Sequence, residues 1–294
     1  MRVVVGSGPV GTAVARLLVE RGEQVRVVTR SGTGPDGVEK VAADATDSAV
    51  LTKLVAGAET VFSCGGPAYD RWLTDWPPLG ASLIKTAEST GAVLLTTGNL
   101  YAYGRPTGPM KEGDPDRPNS SKGRVRAKVW ADALAAPIRT AEVRGSDYLG
   151  AGAMSFCTVA VLPGVLAGKR TAVPADLEVL HSWTAVEDVA RTLVAVASDE
   201  SALGRVWHVP TPPPVSIRDL AAQAAAIAGA PEPRLSTMPP AALWLGGFFN
   251  KQAREIRELQ YQFRAPFVLD SSDAQNTFGL APTPTAEALT ATIR

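Results

Sequence analysis

Residues 2–22 read "RVVVGSGPVGTAVARLLVERG", and the order of residue types in them decides the fold. Arg2 to Val5 is a short β-branched run of the kind that fills a buried strand. It opens straight into glycine. Residues 12–22 then carry Val14, Leu17 and Leu18 at helical spacing and stop at Arg21-Gly22. Between strand and helix, Gly6-Ser7-Gly8-Pro9-Val10-Gly11 spells G-x-G-x-x-G. Alone the motif is weak. After a strand and ahead of a helix it reads as a dinucleotide-binding turn. The first glycine permits the tight turn, the second lets the backbone approach a pyrophosphate, and the third lets helix and strand pack closely. The helix N-terminus adds free N–H groups and a partial positive charge for the phosphates. The plainer alternative is a structural glycine turn.

The same alternation continues along the chain. "QVRVVTR" (24–30), "VEKVAAD" (38–44), "ETVFSCGG" (59–66), "AVLLTTG" (92–98) and "IRTAEVR" (138–144) read as strands. "AVLTKLVAGA" (49–58), "PPLGASLIKTAESTG" (77–91) and 121–135 read as helices. Alternating strands and helices predict an α/β fold with a doubly wound parallel sheet. "EDVARTLVAVASD" (187–199) and "RVWHVP" (205–210) read as a later helix and strand that rejoin it. "TPPPVS" (211–216) is a stiff linker. The expected division is a nucleotide-binding domain over 1–160, with 183–210 rejoining it, and a smaller, mostly helical substrate domain over 211–294.

Composition narrows the partners. The 294 residues are 45% hydrophobic, enough for a sizeable core, and Lys+Arg equals Asp+Glu at 29 each. No basic run or aromatic-basic stripe argues for nucleic acid or an anionic membrane. The expected partner is a small-molecule substrate. Cys64 and Cys157 cannot build a disulfide framework and sit in apolar contexts, so they read as buried free thiols. The start lacks a signal-peptide pattern, and "MSFCTVAVLPGVLAG" (154–168) is too short and proline-broken to span a bilayer. The expected location is the cytoplasm. Plentiful Ala, Val, Gly and Pro with scarce Lys is the bias of high-GC bacterial genomes.

The end of the second strand chooses the cofactor. NAD sites place an acid there for the ribose 2′-hydroxyl. Here "VVTRSG" has none between Glu23 and Asp36, and Arg30 offers a planar cation suited to a 2′-phosphate. NADP(H) is therefore expected over NAD(H), which stays an option, as does a merely solvated Arg30. Topology places Asp44 and Ala45 near the adenine and Cys64-Gly65-Gly66 against the cofactor. Thr97, Lys122 and Ser146, at later strand and helix ends, complete the expected cofactor contacts.

The whole chain resembles the extended short-chain dehydrogenases, the NAD-dependent epimerase/dehydratase family. The resemblance is carried by "GSGPVG" (6–11), "AADATD" (42–47), "NLYAYG" (99–104), "VRGSDYLGAG" (143–152) and "HSWTAVEDVARTLVAVA" (181–197). It implies a Rossmann domain holding NAD(P) and a small C-terminal domain closing over a substrate, often a nucleotide sugar. It also allows a homodimer through helices 79–90 and 121–135. The family's chemistry uses a Ser or Thr after the fifth strand and a Tyr-x-x-x-Lys on the next helix. Family spacing puts Asn99 at the Ser/Thr, with Thr97 two residues earlier, Lys122 at the tyrosine and Arg126 at the lysine. An alternative register pairs Arg124 with Lys128. No tyrosine appears in either.

Two residues could stand in. Lys122 and Arg126 are four apart, on one helical face. Two facing cations would lower the lysine pKa and suit it to acid–base work; the alternative is a solvated basic face or a pyrophosphate clamp. In "NLYAYG" an extended backbone would put Asn99, Tyr101 and Tyr103 on one side, offering Tyr101 as proton donor; the alternative is a packed aromatic. Tyr69, Trp72, Tyr148, His181 and Trp183 are candidates to line the substrate cleft, each with a structural reading beside it. With only two histidines, far apart, no metal site is expected, and no G-x-S-x-G elbow supports a hydrolase. The expected activity is an NAD(P)-dependent oxidoreductase or epimerase acting on a carbonyl or hydroxyl of a small metabolite or nucleotide sugar, with a non-standard proton donor. The alternative is an NADP(H)-binding protein without redox turnover: a redox sensor, or a cyclase or isomerase.

Overall fold

The computed structural model describes residues 1–239 and 257–294. In chain order, β1 (Arg2–Val5), α1 (Pro9–Glu20), β2 (Val25–Thr29), β3 (Glu39–Ala42), α2 (Ser48–Val55) and β4 (Thr60–Ser63) come first. They are followed by α3 (Trp72–Thr90), β5 (Val93–Asn99), α4 (Ser121–Ala135), β6 (Thr140–Gly145) and β7 (Asp147–Leu149). Then come α5 (Leu162–Leu166), β8 (Arg170–Val173), β9 (Trp183–Ala185), α6 (Val186–Ala197), β10 (Val206–His208), α7 (Ile217–Ala228) and β11 (Arg234–Thr237). The last helices are α8 (Ser272–Phe278) and α9 (Thr285–Ile293).

Seven strands form one sheet in the order β10-β6-β5-β4-β1-β2-β3, every neighbouring pair parallel. This is the expected doubly wound, Rossmann-like arrangement. Its inner strands are largely apolar because helices cover both faces, whereas the edge strand β3 is exposed. On one face α1 and α6 bury Val14, Leu18, Val189 and Leu193 against Val4, Leu95 and Val143. On the other, α2, α3 and α4 bury Leu51, Leu83 and Val129 against Val3, Val61 and Leu94. The strand order reverses between β1 and β4, and that reversal opens a crevice at the carboxyl ends of the strands.

A second core joins residues far apart in sequence. Leu149, Val161, Val173 and Trp183 pack with Ile217, Leu220, Phe263 and Leu289. The small pairs β7–β9 and β8–β11 flank it. α8 turns back to the first core, where Ala274 and Phe278 pack.

Helix α3 starts earlier than its apolar spacing suggests. It runs from Trp72 and takes Pro77 and Pro78 inside it. Trp72 and Trp76 lie one turn apart, and both are buried. That burial offsets the two missing N–H donors, whose would-be acceptors belong to the exposed residues Leu73 and Thr74.

Candidate active site

The glycine turn after β1 is built for close approach. Gly6 sits at φ +98°, and a Cβ there would lie 2.4 Å from Gly65 Cα. A Cβ on Gly11 would lie 2.0 Å from the Gly6 carbonyl oxygen, so the third glycine seats the helix on the strand. Around Gly8 nothing comes within 4 Å. Gly8 is also the cap of α1, with Pro9 following and no side chain capping the helix. The first N–H groups of α1 therefore open on free space beside Gly8, the room and polarity a pyrophosphate needs. Ser7 Oγ and Thr33 Oγ1 stand 3.4 Å apart, and Thr12 Oγ1 donates to Ser7 O, which fixes the loop. Val10 is buried beneath it.

At the adenosine end, Arg30 is exposed just after β2, beside Ser31 and Thr33, whose hydroxyls meet at 2.9 Å. Asp44 accepts from Thr46 N and Oγ1 at 2.9 and 2.8 Å. Those bonds, aided by the Arg30 cation, hold its carboxyl below the usual range. Ala45 packs onto the α2–α3 core. Cys64 and Gly65 end β4 directly under the glycine turn. Burial pushes the Cys64 thiol up to about 12, which disfavours its thiolate at neutral pH. Both cysteines are free; Cys157 is fully buried, whereas Cys64 is only half so.

The ends of β5 and β6 and the start of α4 gather the remaining candidates. Asn99 turns out to be a cap: its Oδ1 accepts from Tyr101 N at 3.1 Å and starts a 3-10 turn over Leu100–Tyr103. The expected extended backbone is absent there, so the two tyrosines diverge. Tyr101 places its hydroxyl 2.5 Å from that of Tyr69. Tyr103 is buried and meets His208 Nε2 at 2.8 Å. Burial, with Tyr69 and Asp147 adding to it, pushes the Tyr101 phenol well above its ordinary value.

Lys122 is buried, and the expected cation pair is not what surrounds it. Its Nζ meets Glu258 Oε2 at 2.8 Å and lies 5.7 Å from the Tyr69 ring centroid. Glu258 also accepts from the backbone N of Ser121 and of Lys122, so one carboxylate caps the helix and holds the lysine. Arg126 turns away to the sheet. Its Nη2 donates to Thr97 O at 2.8 Å and to Glu142 Oε1 at 3.0 Å, and its guanidinium lies 4.1 Å from the Trp76 ring. Burial lowers its pKa, and Glu142 opposes that shift. Its Nε and Nη1 have no hydrogen-bond partner among the described residues. Two orphaned donors of a fully buried cation, at the position the resemblance gives to the ribose-holding lysine, fit a dinucleotide.

The substrate candidates separate. Tyr69 is 45% exposed, with its hydroxyl against that of Tyr101. Trp72 is buried behind it, its Nε1 donating to Pro67 O at 3.1 Å. Tyr148 reaches the Gly98 carbonyl at 3.4 Å. Trp183 does not line the cleft: it is buried in the second core, with Nε1 on Val215 O. His181 is buried between Phe263 and Phe267, with ring centroids 4.8 and 5.4 Å away. Its Nε2 meets Asp147 Oδ2 at 2.9 Å and Ser146 Oγ at 3.5 Å, while Nδ1 faces Gln262 O. Serine and aspartate share one ring nitrogen, so this is not a hydrolytic relay.

Sequence reasoning missed Asp147, Glu142 and Glu258. Glu142 carried a signal, an acid within the apolar strand "TAEVRG" two residues from Arg144, hence on the same face. Glu258 had none, being brought to Lys122 across 136 positions.

The profile of the NAD dependent epimerase/dehydratase family matches residues 3–209. The chain belongs to that family. Its cofactor class is accordingly a nicotinamide dinucleotide. No curated protein matches the chain. Among solved structures, the Bordetella bronchiseptica enzyme WbmH in complex with NAD+ is 20% identical with a TM-score of 0.78, over 99% of this chain and 96% of that one. MoeE5 in complex with UDP-glucose and NAD is 21% identical with a TM-score of 0.79, over 99% and 97%. The UDP-glucose 4-epimerase of Thermotoga maritima with UDP-glucose is 16% identical with a TM-score of 0.79, over 100% and 97%. At these identities the likeness shows the shared fold. Among the described residues no helix is long and apolar enough to cross a membrane.

Proposed function

We propose that this chain is an NADP(H)-preferring oxidoreductase or epimerase acting on a hydroxyl or carbonyl of a small metabolite or nucleotide sugar. The observation that carries this reading is the pairing of an open glycine turn with the orphaned donors of Arg126. One grips a pyrophosphate and the other a ribose, and both belong to one extended dinucleotide. Arg30, Ser31 and Thr33 would hold the 2′-phosphate. When bound, the dinucleotide supplies or takes up a hydride. The solved neighbours with UDP-glucose support a nucleotide sugar as one substrate class. The test is titration by NADPH and NADH fluorescence, followed by incubation with aldehydes, ketones, imines and sugar nucleotides. NADPH should bind roughly tenfold tighter than NADH, the worth of one charge-assisted phosphate contact. Arg30→Ala should abolish the difference. Equal affinities in the unmodified chain would sink the NADP(H) preference.

One observation favours a second reading, a dinucleotide-binding protein without redox turnover. Lys122, at the position the resemblance gives to the family's tyrosine, is tied to Glu258. Tight NADPH binding with no oxidation across the panel would move the reading to a sensor or a non-redox isomerase.

A further inference from the structure

Helix α4 lacks a phenol, yet one stands at the same strand end. Tyr148 follows β6 and lays its ring over Gly145. A Cβ on Gly145 would fall 2.9 Å from Tyr148 Cε1, so the glycine leaves room for the ring. The hydroxyl donates to Gly98 O at 3.4 Å. One residue earlier in β5, Thr97 O accepts from Arg126 at 2.8 Å. Phenol and guanidinium thus anchor on consecutive residues at the carboxyl end of β5. Cys64, at the end of β4, packs in the same cluster as the Tyr148 ring. Arg126 is 2% exposed and keeps two nitrogens unpartnered there.

We propose that Tyr148 is the proton-transfer residue of the redox step and Arg126 the cation that stabilises its phenolate. The pair would do the work of the Tyr-x-x-x-Lys pair that the resemblance puts on α4, where no tyrosine occurs. The inference rests on the oxidoreductase reading above. In the alcohol-to-carbonyl direction the Tyr148 phenolate takes the proton of the substrate hydroxyl and becomes a neutral phenol. The carbon–oxygen bond becomes double, and the hydride with its electron pair is the dinucleotide's share. In reverse, the phenol returns the proton to the carbonyl oxygen.

The charges facing each candidate point the same way. Burial raises the Tyr148 phenol, and Arg126 acts against that, while Cys64, Tyr69 and Asp147 add to it. The groups facing Tyr101, namely Tyr69, Asp147 and Tyr261, all push its phenol further up. A neighbouring cation opposes that rise, and Arg126 supplies one to Tyr148, although burial still holds the phenol above its ordinary value.

The test is a pH titration of tyrosinate absorbance on the full chain, with and without NADP+. One phenol should titrate at lower pH when NADP+ is bound. That step should vanish in Tyr148→Phe and in Arg126→Met, and persist in Tyr101→Phe. Tyr148→Phe keeps the ring over Gly145, so its fold and its NADPH affinity should stand while kcat falls at least about 100-fold. A shift that persists in Tyr148→Phe, or NADP+ binding that moves no phenol, overturns the assignment and leaves the cofactor reading intact. A chain that binds neither dinucleotide overturns that reading itself, so the two failures are told apart.

Discussion

At the scale of single residues, the site is organised by buried charges that pair across elements. Glu142, 2% exposed, accepts from Arg126 on one side and from Arg144 Nε at 2.7 Å on the other. Arg144 then makes a two-point contact with Asp116. Gly98 makes the pairing feasible, since a Cβ there would fall 2.7 Å from the Glu142 carboxyl. Removing one member of such a group leaves the others charged and desolvated. Glu142→Leu should therefore lower stability by about 3–5 kcal/mol, read by urea denaturation. A loss below about 1 kcal/mol would show that the arginines find other partners. The acid was legible in a buried strand. Its role was not, because Arg126 was expected to face Lys122 rather than the sheet. What decides the matter is competition: a buried guanidinium goes to a buried carboxylate, and Lys122 goes to Glu258.

At the scale of elements, the strand–turn–helix at the start of the chain was legible in type and order, though α1 starts at Pro9 rather than at Thr12. Its parts obey local rules: β-branched strand, glycine turn, proline in the first helical turn. The same rules failed at 72–76, left outside a helix expected to open at Pro77, where two buried tryptophans extend it by a turn. They failed again at 99–103, where Asn99 caps a turn that a period-two reading treats as extended. Tertiary burial and capping outweighed local preference in both places. The glycine turn yields a prediction that tells packing from ligand contact. Gly11→Ala puts a methyl 2.0 Å from a backbone oxygen, so α1 must shift from β1. It should cost both thermal stability and dinucleotide affinity. Gly8→Ala meets no protein atom within 4 Å, so it should keep the melting temperature and weaken NADPH binding. Differential scanning fluorimetry with and without NADPH separates the two. Loss of melting temperature in Gly8→Ala would show that the gap beside it is structural.

At the scale of the whole molecule, a polar chain ties the sheet to the loop after β5 and to the C-terminal segment. Arg144 lies 4.6 Å from the Tyr103 ring, Tyr103 bonds His208, and His208 Nδ1 meets Asp270 O at 2.7 Å. Glu112 accepts from the His208 backbone N at 2.8 Å. Two of these groups titrate against each other. Burial lowers His208 from 6.5 to about 4. Its contribution to stability is present above 6.5 and is lost as pH falls towards 4. Burial raises Glu112 from 4.5 to about 7, with Asp273 adding to the shift and Arg205 opposing it. Between those values the folded chain binds the extra proton, so this contribution is complete below 4.5 and is lost as pH rises through 7. The two slopes oppose each other over nearly the same window, and the intact chain should show little net dependence from this pair. Glu112→Gln removes one of them. The amide keeps an oxygen for the His208 N–H and cannot ionise. Relative to the unmodified chain, the variant should gain up to about 3 kcal/mol as pH rises from 4.5 to 7. Parallel urea titrations across that range measure the difference directly. A difference that stays flat would mean that Glu112 ionises in the fold as it does in water, with Arg205 outweighing burial. A difference that falls with pH would mean that Glu112 is held as a carboxylate, and that the network joining the sheet to the C-terminal segment is fastened by ion pairs rather than by a shared proton.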